Sequence, residues 1–349
     1  MAYTTINNSK LYQNTMLYTG DDGTRNITES GTFQADLVWL KRRNSAASHH
    51  LVDAVRGATK AIYSNATGAE ATDSTGVTGF VTDGFSLGGQ GGYNNNGDTF
   101  VSWTWKANGQ GSSNTDGTIN STYTSANTTS GFSIVQYTGT GANATVGHGL
   151  GISPKMIILK QTNTSKDWMI YHKYTNPNGT GSQYYLHLNS SDGKASNATM
   201  WQNTDPTSSL FSLGSSSNVN GSSDTYIAYC FAEVQGYSKI SSYVGNGNVD
   251  GSFIHTGFKP AYVIAKRTDG ASNWNQFDNK RFGFNVKNPL LYPNLTNAEA
   301  DDVFIDLLSN GFKWRTTNGD INASGGSYIY MAFAEAPLVG TNNVPANAR

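Results

Sequence analysis

The residues best suited to chemistry are few in this sequence, and their spacing supports no reaction centre. A zinc hydrolase needs histidines spaced as H-x-H or H-E-x-x-H, and neither spacing occurs. A serine hydrolase needs a serine on a sharp nucleophile elbow, and we predict no serine in that setting. The histidines are His49, His50, His148, His172, His187 and His255. The sequence therefore predicts neither a metal site nor a serine nucleophile.

Paired carboxylates, as in a glycoside hydrolase, are also poorly supported. The chain has five glutamates, of which Glu233 and Glu335 follow the closing strand of two sequence repeats at the same position. This placement indicates repeated structure, because an acid–base pair must face across a cleft. Calcium-loop, phosphate-loop and dinucleotide fingerprints are absent from the sequence. We predict a protein that is not an enzyme and uses no cofactor.

Three planar side chains are the candidate ligand contacts. Trp168 and Trp274 occupy equivalent positions in two repeats, and His49 takes their place in the other copy. Planar rings on the loops of a β-sandwich can bind the apolar faces of sugars. The same rings can also cap the edge of a core beside a hairpin, and the pattern favours that interpretation. Both interpretations stay open at the level of sequence.

The elements that position these rings come from one pattern that occurs three times. Each copy opens with a tyrosine and a turn-rich stretch, and a lysine follows an apolar run at one fixed spacing. Each copy closes with an aromatic-rich strand, DTFVSWTWK, DTYIAYCFAE or GSYIYMAFAE. The tyrosine–lysine pairs are Tyr18 and Lys41, Tyr137 and Lys160, and Tyr243 and Lys266. Short strands separated by Gly, Asn and Asp turns predict an all-β protein of three tandem β-sandwich or jelly-roll repeats, each of about 90 residues.

Composition divides the chain into these repeats and the segments around them. We predict the first repeat within 1–106, a polar linker over 107–130, the second repeat over 131–235 and the third over 236–335. The linker is rich in Gly, Ser, Thr and Asn and lacks apolar periodicity. The ending 336–349 has no core pattern and is either a frayed tail or an arm that binds a partner subunit.

Two segments bear on how the repeats pack. Residues 49–65 have a helix-like apolar face, but the equivalent segments of the other copies contain two strands and a turn, so we predict a hairpin. The strands LVWL, MIIL and YVIA are apolar on both faces, whereas a sandwich strand normally has one face in water. We expect a hairpin of the same repeat to cover the outer face. Packing against a neighbouring repeat or another chain is the alternative.

Charge and cysteine content narrow the class of protein. Charged residues make up 13% of the chain, with 23 basic and 24 acidic groups, about half of the roughly 25% that is usual. A basic excess that would bind nucleic acid or anionic lipid is absent, and no apolar run approaches a membrane span. One cysteine, Cys230, excludes internal disulfides. These features predict a neutral protein that is made in a cytoplasm.

Several long strings give the chain a resemblance to a known group. They include FQADLVWLKRRNSAASHHLVDAVRGATKAIYSNATGAEATD, GTGANATVGHGLGISPKMIILK, DTYIAYCFAEVQGYSKISSYVGNGN and YIYMAFAEAPLVGTNN. The chain resembles repetitive β-rich virion proteins, often tail-fibre-like, of marine bacteriophages. The resemblance covers nearly the whole chain and implies lectin-like β-sandwich modules on the exterior of a particle. It implies no catalytic residues.

The resemblance and the composition together predict the function. We expect a non-enzymatic bacteriophage structural protein, made in the bacterial host cytoplasm, that forms an exterior tail appendage, fibre or capsid decoration. Its expected partners are other virion proteins and its own copies, as a trimer or a virion-symmetric array in which a terminal tail crosses between chains. The alternative is an adhesin that recognises host-surface glycans.

Overall fold

The computed structural model describes residues 4–176, 179–281, 285, 289–337 and 339. These residues form antiparallel sheets joined by turns, and their helices are single turns. The predicted all-β class is therefore confirmed. In the described part of the chain, no helix is long and apolar enough to cross a membrane.

The strands fall into three successive groups, which we call units 1, 2 and 3. Unit 1 contains β1 (Gln13–Thr19), β2 (Arg25–Thr28), β3 (Leu37–Arg42), β4 (His50–Asp53), β5 (Lys60–Tyr63), β6 (Ala71–Thr72), β7 (Val77–Val81), β8 (Gly84–Leu87), α1 (Gly91–Asn94) and β9 (Thr99–Trp105). Unit 2 contains β10 (Tyr123–Asn127), β11 (Phe132–Thr138), β12 (Ala144–Gly147), β13 (Pro154–Gln161), β14 (Met169–His172), β15 (Tyr184–His187), β16 (Ala195–Ser196), α2 (Ala198–Trp201), β17 (Leu210–Leu213), α3 (Ser217–Asn220) and β18 (Thr225–Ala232). Unit 3 contains β19 (Ser238–Val244), β20 (Phe253–His255), β21 (Phe258–Arg267), β22 (Asn275–Asp278), β23 (Ile305–Leu308), β24 (Gly311–Trp314), α4 (Gly319–Asn322) and β25 (Ser327–Pro337). Short 3₁₀ turns lie at Ser9–Leu11, Lys173–Thr175 and Gly181–Gln183.

Each unit has one large and one small sheet, and the strands that the units have in common follow the same order. The large sheets run β1-β9-β3-β4-β5-β6, β10-β11-β18-β13-β14-β15-β16 and β19-β25-β21-β22. The small sheets are β2-β8-β7, β12-β17 and β20-β24-β23. The segment 49–65 contains the paired strands β4 and β5, as its sister segments predicted.

In each large sheet, the repeated tyrosine pairs with the same position of the closing strand. Tyr18 lies opposite Phe100 in unit 1, and the two rings stack at a centroid distance of 5.1 Å. The equivalent pairs stack at 5.1 Å in unit 2 and 4.8 Å in unit 3. Cross-strand aromatic pairs of this kind stabilise a sheet. The same residue of each copy therefore fixes the same pairing.

The two sheets of each unit enclose a core of their own. In unit 1, Val38 and Leu40 of the large sheet pack with Phe85 and Leu87 of the small sheet. Units 2 and 3 have corresponding cores built around Phe211 and around the residues near Phe312. Each unit is thus a β-sandwich in which one face of the large sheet is buried against the small one.

The opposite faces of the three large sheets share a further core at the centre of the molecule. Trp105, Phe231 and Phe333 meet there, with ring centroids 6.0, 5.8 and 6.1 Å apart. These residues end the closing strands at equivalent positions, so their mutual contact places the units around a pseudo-threefold axis. The expectation that a hairpin of the same repeat covers the doubly apolar strands was wrong: neighbouring units cover them.

The segments outside the predicted repeats are also part of this assembly. The Thr4 hydroxyl donates to the Gln235 carbonyl at 2.7 Å, and Ile6 lies in the shared core. The predicted linker 107–130 is not merely a spacer, because it contains β10 and pairs with unit 2. Most of the predicted C-terminal arm, 336–349, lies outside the described residues.

Candidate functional site

The junctions between units, which we call the seams, bring together most of the polar residues that the sequence singles out. Each seam contains an equivalent backbone hydrogen bond between two units. The acceptor is the carbonyl two residues after the repeated lysine of one unit, and the donor is an amide in the segment that follows the β4–β5 hairpin, or its equivalent, of another unit. The third bond joins unit 3 back to unit 1, so the ring closes within one chain. The bonds run from Glu70 N to Thr162 O, from Lys194 N to Thr268 O and from Glu299 N to Arg43 O, at 2.8, 2.8 and 2.7 Å.

The repeated lysines lie at these seams with no exposed surface. Lys160 donates to the Thr67 carbonyl of unit 1 at 3.1 Å, and Lys266 donates to the Ser191 carbonyl of unit 2 at 3.1 Å. Lys41 instead donates to two carbonyls of its own unit. Burial lowers the pKa of each of these lysines to about 8. Each amine satisfies buried carbonyl groups, which would otherwise destabilise the fold.

The candidate sugar platforms Trp168 and Trp274 are buried at the seams. Their side chains are 0% and 1% exposed. The Trp168 indole N–H donates to the Tyr63 carbonyl at 2.9 Å, and that of Trp274 donates to the His187 carbonyl at 2.8 Å. The rings therefore join units, and the structure offers neither face to a sugar.

His49 occupies the equivalent position in unit 1 and is also fully buried. Its Nδ1 accepts from the Trp39 indole N–H at 3.0 Å, and its ring stacks against Trp103. Burial holds the pKa of His49 well below its usual value. The imidazole is therefore neutral at pH 7 and is not available to a surface ligand.

A buried ion pair links units 1 and 2 four residues after His49. Asp53 accepts from Arg56 Nε at 2.6 Å and from the Tyr229 hydroxyl of unit 2 at 2.8 Å. Arg56 also contacts Glu70 at 3.1 Å. The Asp53 and Arg56 side chains are 0% and 1% exposed. Such a pair holds its surroundings in one geometry because either charge alone is costly to bury.

An equivalent buried ion pair joins units 3 and 1. Asp278 accepts from Arg281 Nε at 2.6 Å and from the Trp103 indole of unit 1 at 3.0 Å. Glu299 then bridges Arg281 and Arg43 across the seam. Burial raises the pKa of Asp278, but the Arg281 charge and the hydrogen bonds from Arg281 and Lys280 together leave that pKa below its usual value.

Unit 2 has no Asp–Arg pair at this position, and the residue of the neighbouring unit that would contact the aspartate is also different. His172 and Thr175 stand where units 1 and 3 have aspartate and arginine. Met331 of unit 3 stands at the register position of Trp103 and Tyr229 in the closing strand, and it has no N–H or O–H to donate to a carboxylate. His172 Nε2 instead lies 3.3 Å from the Tyr330 carbonyl, and burial lowers its pKa to about 3. A seam with a buried aspartate therefore has a hydrogen-bond donor on the neighbouring unit, and the seam without the aspartate has none at that position.

Sequence reasoning missed these pairs, although a signal for them was present. DAVR and DNKR begin four residues after His49 and Trp274, at the same place in two copies. Reasoning also passed over GFSLG at 84–88, which has the spacing of a nucleophile elbow. Ser86 lies within β8, and its hydroxyl contacts Asn26 at 2.7 Å. An elbow requires a turn from strand to helix, so this serine is structural.

The solvent-exposed surface has fewer clusters of interacting polar side chains than the seams. A groove of about 340 Å³ is lined by polar residues that include Glu233, Lys239 and His255. Glu233 is held there by Lys155 and Lys239 at 2.9 and 2.8 Å. Within the described ranges, no group of three or more His, Cys, Asp and Glu residues could hold a metal ion.

Comparison with known proteins adds a family match. The model of a family described as "Domain of unknown function (DUF7483)" matches residues 8–337. No curated protein matches the chain.

Proposed function

The chain belongs to the family of the domain of unknown function DUF7483, and from this premise we propose that it is a non-enzymatic structural subunit on the exterior of a bacteriophage particle. It forms part of a tail appendage, fibre or capsid decoration and acts through protein–protein contacts. The resemblance to phage virion proteins supplies the biological setting. The closed ring of units supplies the physical basis.

The closed ring is the observation that carries this proposal. Trp105, Phe231 and Phe333 join three sandwiches in one core, so no unit can separate without exposing large aromatic surface. An exterior particle protein must stay folded away from the cell, and slow unfolding serves that need. We expect the shared core to slow unfolding of the single chain without any partner, because the three units must lose that core together.

The use of polar groups also favours a structural role. The two buried Asp–Arg pairs, the three lysines and the candidate rings bind across or beside seams. A catalytic group must reach its substrate, and these groups face protein. The polar chemistry of the chain therefore specifies the assembly of units.

The same geometry supports the proposed partners. A homotrimer of single sandwiches would place equivalent residues around one axis, and this chain does so by itself. A threefold-symmetric site on a particle would meet similar surfaces on all three units. Self-association and contact with other virion proteins belong to the proposed role.

A glycan-binding adhesin is the alternative function. It needs a site other than Trp168, Trp274 and His49, because those rings are buried. The polar groove beside Glu233 and His255 has room for a small polar ligand. It lacks the exposed ring that sugar binding commonly uses, so assembly is the better-supported role.

Gold-labelled antibody against the purified protein tests the proposal on phage particles that carry its gene. We expect label on intact particles, at one kind of exterior structure. Label only on disrupted particles, or none while the protein is abundant in infected cells, would contradict an exterior role. A glycan array run with the same protein separates the alternative, since saturable binding to one glycan class would favour the adhesin.

A further inference from the structure

Unit 3 carries an exposed apolar patch at the outer end of its sandwich. Val244, Val249 and Phe253 are 61%, 60% and 46% exposed. All three lie on the short segment 244–253, whose ends are held together because the Ser252 hydroxyl donates to the Val244 carbonyl at 3.1 Å. A cluster of exposed large apolar side chains marks an interaction surface more often than isolated ones do.

The other two units provide an internal comparison. Thr19 and Thr138 occupy the position of Val244, one residue after the stacked tyrosine. Asn26 and Thr145 occupy the position of Phe253 in the edge strand of the small sheet. The common fold therefore accepts polar residues at both positions. The apolar residues of unit 3 are not required by the sandwich itself.

The equivalent edge of unit 2 is covered by the chain itself. Ile119 N donates to the Thr145 carbonyl at 3.0 Å, and Thr145 N donates to the Thr118 hydroxyl at 2.8 Å. Ile119 is only 6% exposed in this position. The fold thus receives an extended segment along this edge. In unit 3, β20 is the corresponding edge of its sheet.

We infer that β20 and the patch of Val244, Val249 and Phe253 form a docking surface for a second copy of this chain. Antiparallel pairing of β20 with its twofold equivalent would extend the small sheet across both copies. An isologous interface of this kind requires a surface that does not repel itself.

The charges beside the patch meet that requirement. Asp250 pairs with Lys313 at 2.6 Å and with Arg315 at 3.3 Å, and Arg315 also contacts Asp306 at 3.4 Å. Two carboxylates and two cations leave this rim formally neutral at pH 7. A second copy can therefore approach without charge repulsion, and Asp250 can exchange partners across the axis. A large charge of one sign would have favoured an oppositely charged partner instead.

Sedimentation and light scattering of the purified full chain over a concentration series test this inference. We expect a concentration-dependent dimer, because a small apolar interface gives a reversible association. The triple variant V244T/V249N/F253N should raise the dissociation constant at least about tenfold, since buried apolar area drives such contacts. Its melting temperature should stay close to that of the wild type, because the three side chains are exposed.

Leu17→Thr and Ile152→Thr are the matched controls. These side chains are 38% and 39% exposed in units 1 and 2, so their replacement removes exposed apolar surface away from β20 and should leave the dimer unchanged. A monomer at every soluble concentration would overturn the inference and point to another protein as the occupant. A dimer that survives the triple variant would also overturn it. Neither result depends on the proposed role in a particle.

Discussion

Replacing Arg56 with threonine should show that the seam between units 1 and 2 holds the fold together. Threonine is the natural residue at this position of unit 2, where Thr175 stands. In the R56T variant, Asp53 keeps its bonds from the Val55 and Arg56 amides at 3.1 and 2.9 Å and from the Tyr229 hydroxyl. It loses the cation at 2.6 Å.

The magnitude follows from that loss. Asp53 is fully buried, so removal of the guanidinium leaves a carboxylate without its countercharge inside the protein. Breaking a buried pair in this way costs about 3–5 kcal/mol of folding free energy. The combination D53H/R56T/Y229M reproduces the arrangement that unit 2 makes with Met331. It should therefore cost less than R56T alone, because no buried charge remains.

Equilibrium unfolding in urea at pH 7, followed by circular dichroism of the full chain, measures these costs. The control is Arg25→Thr, which removes a part-exposed pair with Asp21 at 3.5 Å, a bond to the Thr19 carbonyl at 2.7 Å and a contact with the Tyr18 ring. Interactions of this kind near the surface should together cost about 1–2 kcal/mol. If R56T were as mild as the Arg25 control, the seam pair would be dispensable. If the triple variant were worse than R56T, the matching between His172 and Met331 would not explain the change in unit 2.

Two further predictions concern unit 1. Burial raises the pKa of Glu29 to about 7, although Thr104 and Asn14 donate to it at 2.7 and 2.8 Å. The folded state favours the protonated acid, so stability should fall by about 3 kcal/mol between pH 4.5 and 7. In the Glu29→Gln variant, the free energy of unfolding in urea should no longer show this fall between pH 4.5 and 7. If it fell with pH as steeply as in the wild type, the raised pKa of Glu29 would be wrong. Trp105→Ala should cost about 3–5 kcal/mol in the same assay because it leaves a cavity in the shared core. A loss below about 1 kcal/mol would mean that the core is not shared.

The repeated pattern made the fold of each unit predictable. Tyr18 and Phe100 align with their counterparts in every copy, so the sequence indicates that the large sheets share one register, and the structure shows that these two residues pair. The segment 49–65 shows the strength of this reasoning, because comparison with sister copies outweighed a helix-like apolar face. Three copies with one strand order leave little freedom in how each is built.

The arrangement of the units was not predictable in the same way. The apolar strand LVWL shows that both of its faces are buried, but hydrophobicity is non-directional and does not say which surface covers it. The placement of Trp168 depends on the Tyr63 carbonyl of another unit, a contact 105 residues away in sequence. Sequence reasoning therefore favoured a core-capping role for these rings over a sugar platform, but it could not show that they cap the core at a seam between units.

Hydrogen exchange of the full chain across a denaturant series tests the central claim, that three units fold as one closed ring. Strands β9, β18 and β25 meet in the shared core, so their amides should lose protection over the same range of denaturant. Mass spectrometry of peptides from the three strands can follow each one separately. Simultaneous loss would support the ring. Loss of protection in one unit while the other two stay fully protected would contradict it.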